Sequence, residues 1–235
     1  MNFLGCADLV RRALDEDRAD LDLTTLATVP PAARGVGRII SRVPGVIAGL
    51  PVAAMVFAEL DPVLEFKPLL AEGDRLAPGT LAAEVRGPLR PLLSGERVAL
   101  NFLQRLSGTA TATARLADLI KDHHARILDT RKTTPGLRNL EKYAVRVGGG
   151  ANHRFNLAEM VLIKDNHIAA AGGVAEAVRR ARAFAPPYAR IEVETENEAQ
   201  VREALAAGAD LIMLDNMTTE EMRRRSEEHT SELQS

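Results

Sequence analysis

The chain of 235 residues has no Trp, two Tyr and six Phe, so aromatics make up 3% of it. That supplies little of the ring surface on which single-strand nucleic-acid binders stack bases. Its one cysteine, Cys6, excludes an internal disulfide framework and a cysteine-rich zinc site, and fits a reducing, cytoplasmic setting. No apolar run reaches the roughly 18 residues of a membrane span. The N-terminal stretch MNFLGCADLVRRALDED carries acids too early for a secretory signal and reads as an amphipathic helix. With 30 basic and 32 acidic side chains the net charge is −2, which gives no general pull toward nucleic acid or membrane. Cations matter here by placement rather than by number. What remains is 46% apolar and 26% charged residues, enough for one large domain or two modest ones.

Two textures meet near position 108. Residues 1–108 mix helix with short strands: a first helix with Ala7, Val10, Ala13 and Leu14 on one face, strand-like pieces at 35–48 and 63–68, and a short helix between them at 51–59. Glu72-Gly73-Asp74 and Ala77-Pro78-Gly79-Thr80 read as turns. Pro88 to Pro91 punctuates the chain, and Ser94 is a candidate N-cap for a helix through Leu106. From Thr109 to 224, short apolar runs at 127–129, 160–163, 191–193 and 211–214 alternate with helical patterns at 174–185 and 198–207, the second closed by Gly208. That alternation implies parallel βαβ units. No G-x-G-x-x-G follows the first of these strands, which favours a barrel over a doubly wound nucleotide-binding sheet. The expected fold class is therefore α/β: an N-terminal α+β, sandwich-like domain followed by an incomplete (β/α) barrel, truncated at its C-terminal end. Residues 225–235 have one aliphatic residue and no helical stripe. They resemble translated sequencing-adapter DNA and are set apart from the fold.

The densest signal runs from Ile127 to His167. Ile-Leu-Asp129 stops on Thr130-Arg131-Lys132, and Val-Leu-Ile163 stops on Lys164-Asp165-Asn166-His167, with Gly148-Gly149-Gly150 and Asn152-His153-Arg154 between. An unpaired buried charge costs several kcal/mol, so strands seldom end in this many cations unless an anion meets them. In a (β/α) barrel the C-terminal strand ends form the active site. The four apolar runs end on Asp129-Thr-Arg-Lys, Lys164-Asp-Asn-His, Glu194 and Asp215-Asn.

The blocks LSGERVALNFLQRLSGTATATA, ILDTRKTTPGLRNLEKYAVRVGGGANHRFNL, VLIKDNH, IEVET and IMLDN closely resemble the quinolinate phosphoribosyltransferases, and the similarity covers nearly all of residues 1–222. The resemblance implies transfer of phosphoribose from phosphoribosyl pyrophosphate to quinolinate with loss of carbon dioxide, with magnesium, on the de novo route to NAD. It implies a homodimer in which the N-terminal domain caps the partner's barrel mouth. Carried over residue by residue, Arg97 is the arginine lent across the dimer. Thr130, Arg131, Lys132, His153, Arg154 and Lys164 line the substrate pocket. Lys164, Glu194 and Asp215 are the catalytic candidates, the two acids also facing the ribose and the magnesium–pyrophosphate. Two later phosphate-binding loops of the family, of Ser-Gly-Gly and Gly-Ala-Leu-Thr type, are absent from the sequence.

The residue types suit that chemistry independently. Arginine forks match carboxylate and phosphate oxygens, lysine supplies a compact charge, and carboxylates stabilise a cationic sugar. The plainer readings stand beside it. Arg97 pairs with Glu96 or faces solvent. Arg131 and Lys132 form a solvated loop, and His153 is a structural histidine. Glu194 and Asp215 serve the cations as ion partners, and the glycines are a flexible turn or an unspecific phosphate cradle. Glu192 and Glu196 share the spacing of Glu194, so choosing Glu194 rests on the resemblance. Competing functions are a Schiff-base aldolase using Lys164, a related transferase of molybdenum utilisation, and an inactive fragment that still dimerises.

Overall fold

The computed structural model describes residues 5–223. The chain divides into two compact units, one ending at His153 and one starting at Arg154.

In the first unit, α1 (Cys6–Glu16) buries Cys6, Val10 and Leu14, an i, i+4, i+8 stripe. Ala7, expected on that face, is exposed, because Cys6 takes the inward place one residue earlier. Helix α2 (Leu23–Thr28) is capped by Asp22, whose carboxylate accepts from the Thr25 N–H at 3.0 Å. Strands β1 (Arg34–Ile40), β3 (Glu65–Pro68) and β5 (Leu81–Pro88) form an antiparallel sheet in the order β1-β5-β3, while β2 (Gly45–Val46) pairs with β4 (Arg75–Leu76). The long helix α4 (Leu89–Leu119) packs against α3 (Leu50–Leu60) and α5 (Arg138–Val147). Leu92, Val98, Ala99, Leu103, Leu106 and Ala110 of α4 join one apolar core with Val52, Val56 and Phe57 of α3 and Val85 of β5.

The expected helix from Ser94 to Leu106 is thus the middle of a 31-residue helix. Pro91 does not stop it, since a first-turn N–H has no intrahelical partner to lose. Ser94 is not a cap. Its hydroxyl sits 3.1 Å from Asp22 Oδ2 and ties α4 to the start of α2. The N-terminus of α3 is met by the Glu72 carboxylate, which accepts from Gly49 N–H at 2.8 Å and Leu50 N–H at 2.7 Å and from the Tyr143 hydroxyl. Burial, reinforced by that carboxylate, pushes the Tyr143 hydroxyl well above the usual tyrosine range.

In the second unit, β6 (Val161–Ile163), β7 (Ile191–Thr195) and β8 (Leu211–Leu214) form a parallel sheet in chain order, with α6 (Asp165–Ala171) and α7 (Val174–Phe184) between the first two strands and α8 (Glu198–Ala206) between the last two. Three strands in chain order occur in a barrel wall and also on one side of the switch point of a doubly wound sheet; the arrangement shown is a parallel α/β unit. Ile163, Val174, Val178, Ile191, Val193 and Ala204 form its core. Asn197 caps α8 by accepting from Gln200 N–H at 3.0 Å. Gly208, at φ 77°, ends it as expected, with Ala209 N–H reaching back to Ala204 O at 3.0 Å.

The 127–129 run is not a strand. It makes one parallel bridge, Leu128 to Ala151, and Leu128 is 54% exposed. The tail at 225–235 lies outside the described residues.

Candidate anion-binding site

The first unit brings the Thr-Arg-Lys turn and the Asn-His segment together through one carboxylate. Asp129 accepts from Lys142 Nζ at 2.5 Å, Asn152 Nδ2 at 2.6 Å and the His153 N–H at 2.9 Å. Lys142 Nζ also donates to the His153 carbonyl at 2.9 Å, and Asn152 Nδ2 to the Lys142 carbonyl at 2.9 Å. The Lys142 side chain is 1% exposed and that of Asp129 7%, so this is a buried ion pair. Breaking such a pair by removing one member costs about 3–5 kcal/mol.

Beyond Asp129 the chain turns sharply: the Thr130 hydroxyl accepts from the Lys132 N–H at 3.0 Å. Arg131 is half-buried, and its Nε is buried with no hydrogen-bond partner among the described residues. A buried guanidinium N–H without an acceptor is costly unless an anion satisfies it. Lys132 is exposed. Behind the turn, Glu141 accepts from Arg105 at 2.5 Å, from the Thr134 hydroxyl at 2.7 Å and from the Thr134 N–H at 3.0 Å. Burial alone would raise the Glu141 carboxyl, but these bonds from Arg105 and Thr134 hold it below its ordinary range.

The three glycines are neither a loose turn nor a phosphate cradle. Their amides are spent on closing α5: Gly148 N–H bonds Ala144 O at 2.9 Å, Gly149 N–H bonds Arg146 O at 3.0 Å and Gly150 N–H bonds Val145 O at 3.0 Å. Gly149 has φ 89°. A Cβ on Gly148 would lie 2.3 Å from the Ala110 carbonyl oxygen of α4. The glycines therefore let the end of α5 approach the α4 backbone.

Arg97 stands apart from this cluster. It is exposed on α4 and lines an open cavity of about 1080 Å³ with Arg38, Arg42, Arg115 and Glu96, a lining that includes none of Thr130, Arg131, Lys132 or His153.

In the second unit the ends of three adjacent strands carry Lys164, Glu194 and Asp215. Parallel pairing of Ile163 with Val193 sets Lys164 beside Glu194, and the two form an ion pair with side chains 45% and 17% exposed. Lys164 is thus half-exposed at the strand end rather than turned into the core. Its N–H donates to Nδ1 of His167 at 3.0 Å, which places the ring proton of a neutral imidazole on Nε2. Asp215 follows β8 directly. Its N–H bonds the Thr195 carbonyl at 2.9 Å, and its carboxylate accepts from Asn216 Nδ2 at 3.0 Å. Arg154 donates to the Met160 carbonyl at 3.2 Å. Glu192 is buried, whereas Glu194 reaches the lysine.

The two blocks of sequence that build these clusters match a known pair of domains. Residues 22–107 match the quinolinate phosphoribosyl transferase N-terminal domain, and residues 109–234 match the quinolinate phosphoribosyl transferase C-terminal domain. The chain belongs to this family. A probable nicotinate-nucleotide pyrophosphorylase [carboxylating] of Synechocystis is 51% identical over 189 residues, 80% of this chain and 64% of the relative. A counterpart of the same name in Bacillus subtilis is 46% identical over 95% of this chain and 77% of the relative. The chain thus spans under two thirds of the first relative's length. Among solved structures, NadC from Streptococcus pyogenes superposes with a TM-score of 0.91 at 46% identity, over 95% of this chain and 79% of that one.

Within this member of the quinolinate phosphoribosyltransferase family, sequence reasoning missed Lys142 and the role of Asp129. Lys142 sits opposite the apolar stripe Leu140, Tyr143, Ala144 and Val147 of α5, so helical periodicity assigns it to solvent. Only the acid closing the Ile-Leu-Asp run hinted at a buried partner.

Proposed function

We propose that the chain transfers phosphoribose from phosphoribosyl pyrophosphate to quinolinate, releasing pyrophosphate and carbon dioxide and forming nicotinate mononucleotide for NAD biosynthesis. The observation that carries this reading is the buried Arg131 Nε, which has no hydrogen-bond partner among the described residues, in the turn that Arg131 shares with Thr130 and Lys132. That donor set suits an aromatic dicarboxylate. Relatives named for this reaction support it. Arg131, Lys132, His153 and Arg154 hold the carboxylates, Thr130 adds a hydroxyl contact, and Lys164 faces anionic substrate oxygens. Arg97 is contributed to the site of a second subunit in a cytoplasmic homodimer.

The ring nitrogen of quinolinate attacks the anomeric carbon as its bond to pyrophosphate breaks. Carboxylates of Glu194 and Asp215 oppose the positive charge that develops on the sugar. The 2-carboxylate then leaves as carbon dioxide, its bonding electron pair stays on the ring carbon beside the cationic nitrogen, and a proton bonds to that pair in place of the lost carboxylate. Neither step needs a protein nucleophile. The Lys164 side chain is held against the Glu194 carboxylate, so its nitrogen is engaged in an ion pair rather than directed at a substrate carbonyl. Glu194 and Asp215 fit a magnesium ion carried mainly on substrate phosphates, which uses one or two protein carboxylates rather than a full protein cage. The described residues contain no cluster of three or more His, Cys, Asp or Glu side chains placed to hold a metal. When bound, magnesium neutralises the leaving pyrophosphate.

The test is to mix the chain with quinolinate, phosphoribosyl pyrophosphate and magnesium and follow nicotinate mononucleotide. Product formation is expected. Quinolinate binding without turnover would keep the acid-binding role and remove the transferase one. Neither binding nor turnover would refute the reading.

A further inference from the structure

We propose that Asp129 and Lys142 are positioning residues that set the anion pocket by clamping the main chain of His153; this rests on the reading that His153 faces quinolinate. Both peptide groups of His153 end on the pair. Its N–H donates to Asp129 at 2.9 Å, and its carbonyl accepts from Lys142 Nζ at 2.9 Å. Holding both fixes the residue's φ and ψ and with them the direction in which the imidazole leaves the backbone. The same carboxylate takes Asn152 Nδ2 at 2.6 Å, while the Asp129 N–H bonds the Ala151 carbonyl at 3.1 Å. Asp129 directly precedes Thr130-Arg131-Lys132, so one side chain ties both cationic strings together.

Stability does not account for the pair, since apolar residues of similar volume commonly replace a buried ion pair at no loss. What apolar residues cannot do is bind an N–H and a C=O at once. The charge balance matters too. A bare Asp129 carboxylate one residue from the turn would oppose an incoming dicarboxylate, and the Lys142 ammonium cancels it while leaving Arg131 and Lys132 free to attract.

The test compares the unaltered chain, Lys142→Met, the doubly neutral Asp129→Asn/Lys142→Met and the milder Asn152→Ala. Melting temperature, quinolinate affinity by calorimetry and the quinolinate KM are read for each. Because a misplacement near 1 Å can cost up to about 100-fold, the double variant should bind quinolinate about tenfold more weakly although its melting temperature returns toward that of the unaltered chain. Lys142→Met should bind more weakly still, because it leaves the carboxylate bare. Affinity that follows melting temperature alone, or a well-folded double variant with unaltered affinity, overturns the proposal. If the double variant does not fold, Asn152→Ala decides. A several-fold rise in quinolinate KM supports the clamp, and an unchanged KM refutes it. An unaltered chain that binds no quinolinate removes the functional reading itself, an outcome distinct from failure of the clamp.

Discussion

Gly148→Ala isolates the close approach of α5 to α4. The added methyl would lie 2.3 Å from the Ala110 carbonyl oxygen and 2.8 Å from Thr113 Cβ. Carbon and oxygen tolerate no such approach, and a helix carbonyl cannot swing aside as a side-chain tip can. The helices must part by roughly 0.7 Å or more, and overpacking of that kind costs about 1–3 kcal/mol, with this backbone clash at the upper end. The backbone angle adds nothing, since Gly148 has φ −76°. Gly149→Ala is the internal control. It has φ 89°, and its methyl would meet nothing closer than Ala117 Cβ at 3.7 Å. Its cost is the left-handed conformation alone, about 1 kcal/mol after the entropy gained in the unfolded chain is subtracted. With the same unfolded-chain gain subtracted from both, urea unfolding followed by far-UV circular dichroism should therefore rank Gly148→Ala about 1–1.5 kcal/mol below Gly149→Ala. A reversed ranking, or a Gly148→Ala midpoint equal to that of the unaltered chain, would refute the packing argument.

Three other outcomes are expected. Arg131→Ala removes the donor that awaits an acceptor and should raise the quinolinate KM at least tenfold, about 1.4 kcal/mol; unchanged steady-state kinetics would end its role as an anion clamp. Lys142→Met leaves Asp129 buried without its cation and should lower unfolding free energy by about 3 kcal/mol in urea titrations, the lower end of the range because the Asn152 and His153 donors remain. Glu141 has a folded pKa below its unfolded value, so its contribution is full at neutral pH and fades as pH falls through the carboxylate range toward the depressed value. Thermal melts of Glu141→Gln from neutral to acid pH should show a shallower acid loss than the unaltered chain, and parallel curves would contradict the assignment.

Elements carried by strong periodicity were legible from the residues alone. The helices at 174–184 and 198–206 and the strands at 161–163, 191–195 and 211–214 all fall where alternation placed them, and Gly208 closes α8 as composition implied. Failures came where local signals competed with tertiary demand. Pro88 to Pro91 looked like a break, yet Pro91 sits in a first turn that has no hydrogen bond to lose. Helix α5 went unseen because only Leu140, Tyr143, Ala144 and Val147 mark its inner face, and the glycines after it read as loop. At the site, the charged strand ends exposed Lys164, Glu194 and Asp215 as candidates. The pairing of Lys164 with Glu194 rather than Glu192 follows from the β6–β7 register, which no single sequence displays. Lys142 was hidden for the same reason: its burial is decided by Asp129, thirteen residues away.

Quinolinate carrying a carbon label in its 2-carboxylate tests the central claim most directly. Incubated with the chain, magnesium and phosphoribosyl pyrophosphate, it should release labelled carbon dioxide in step with pyrophosphate and only when the sugar donor is present. No labelled gas, or release that ignores the sugar donor, would contradict the account.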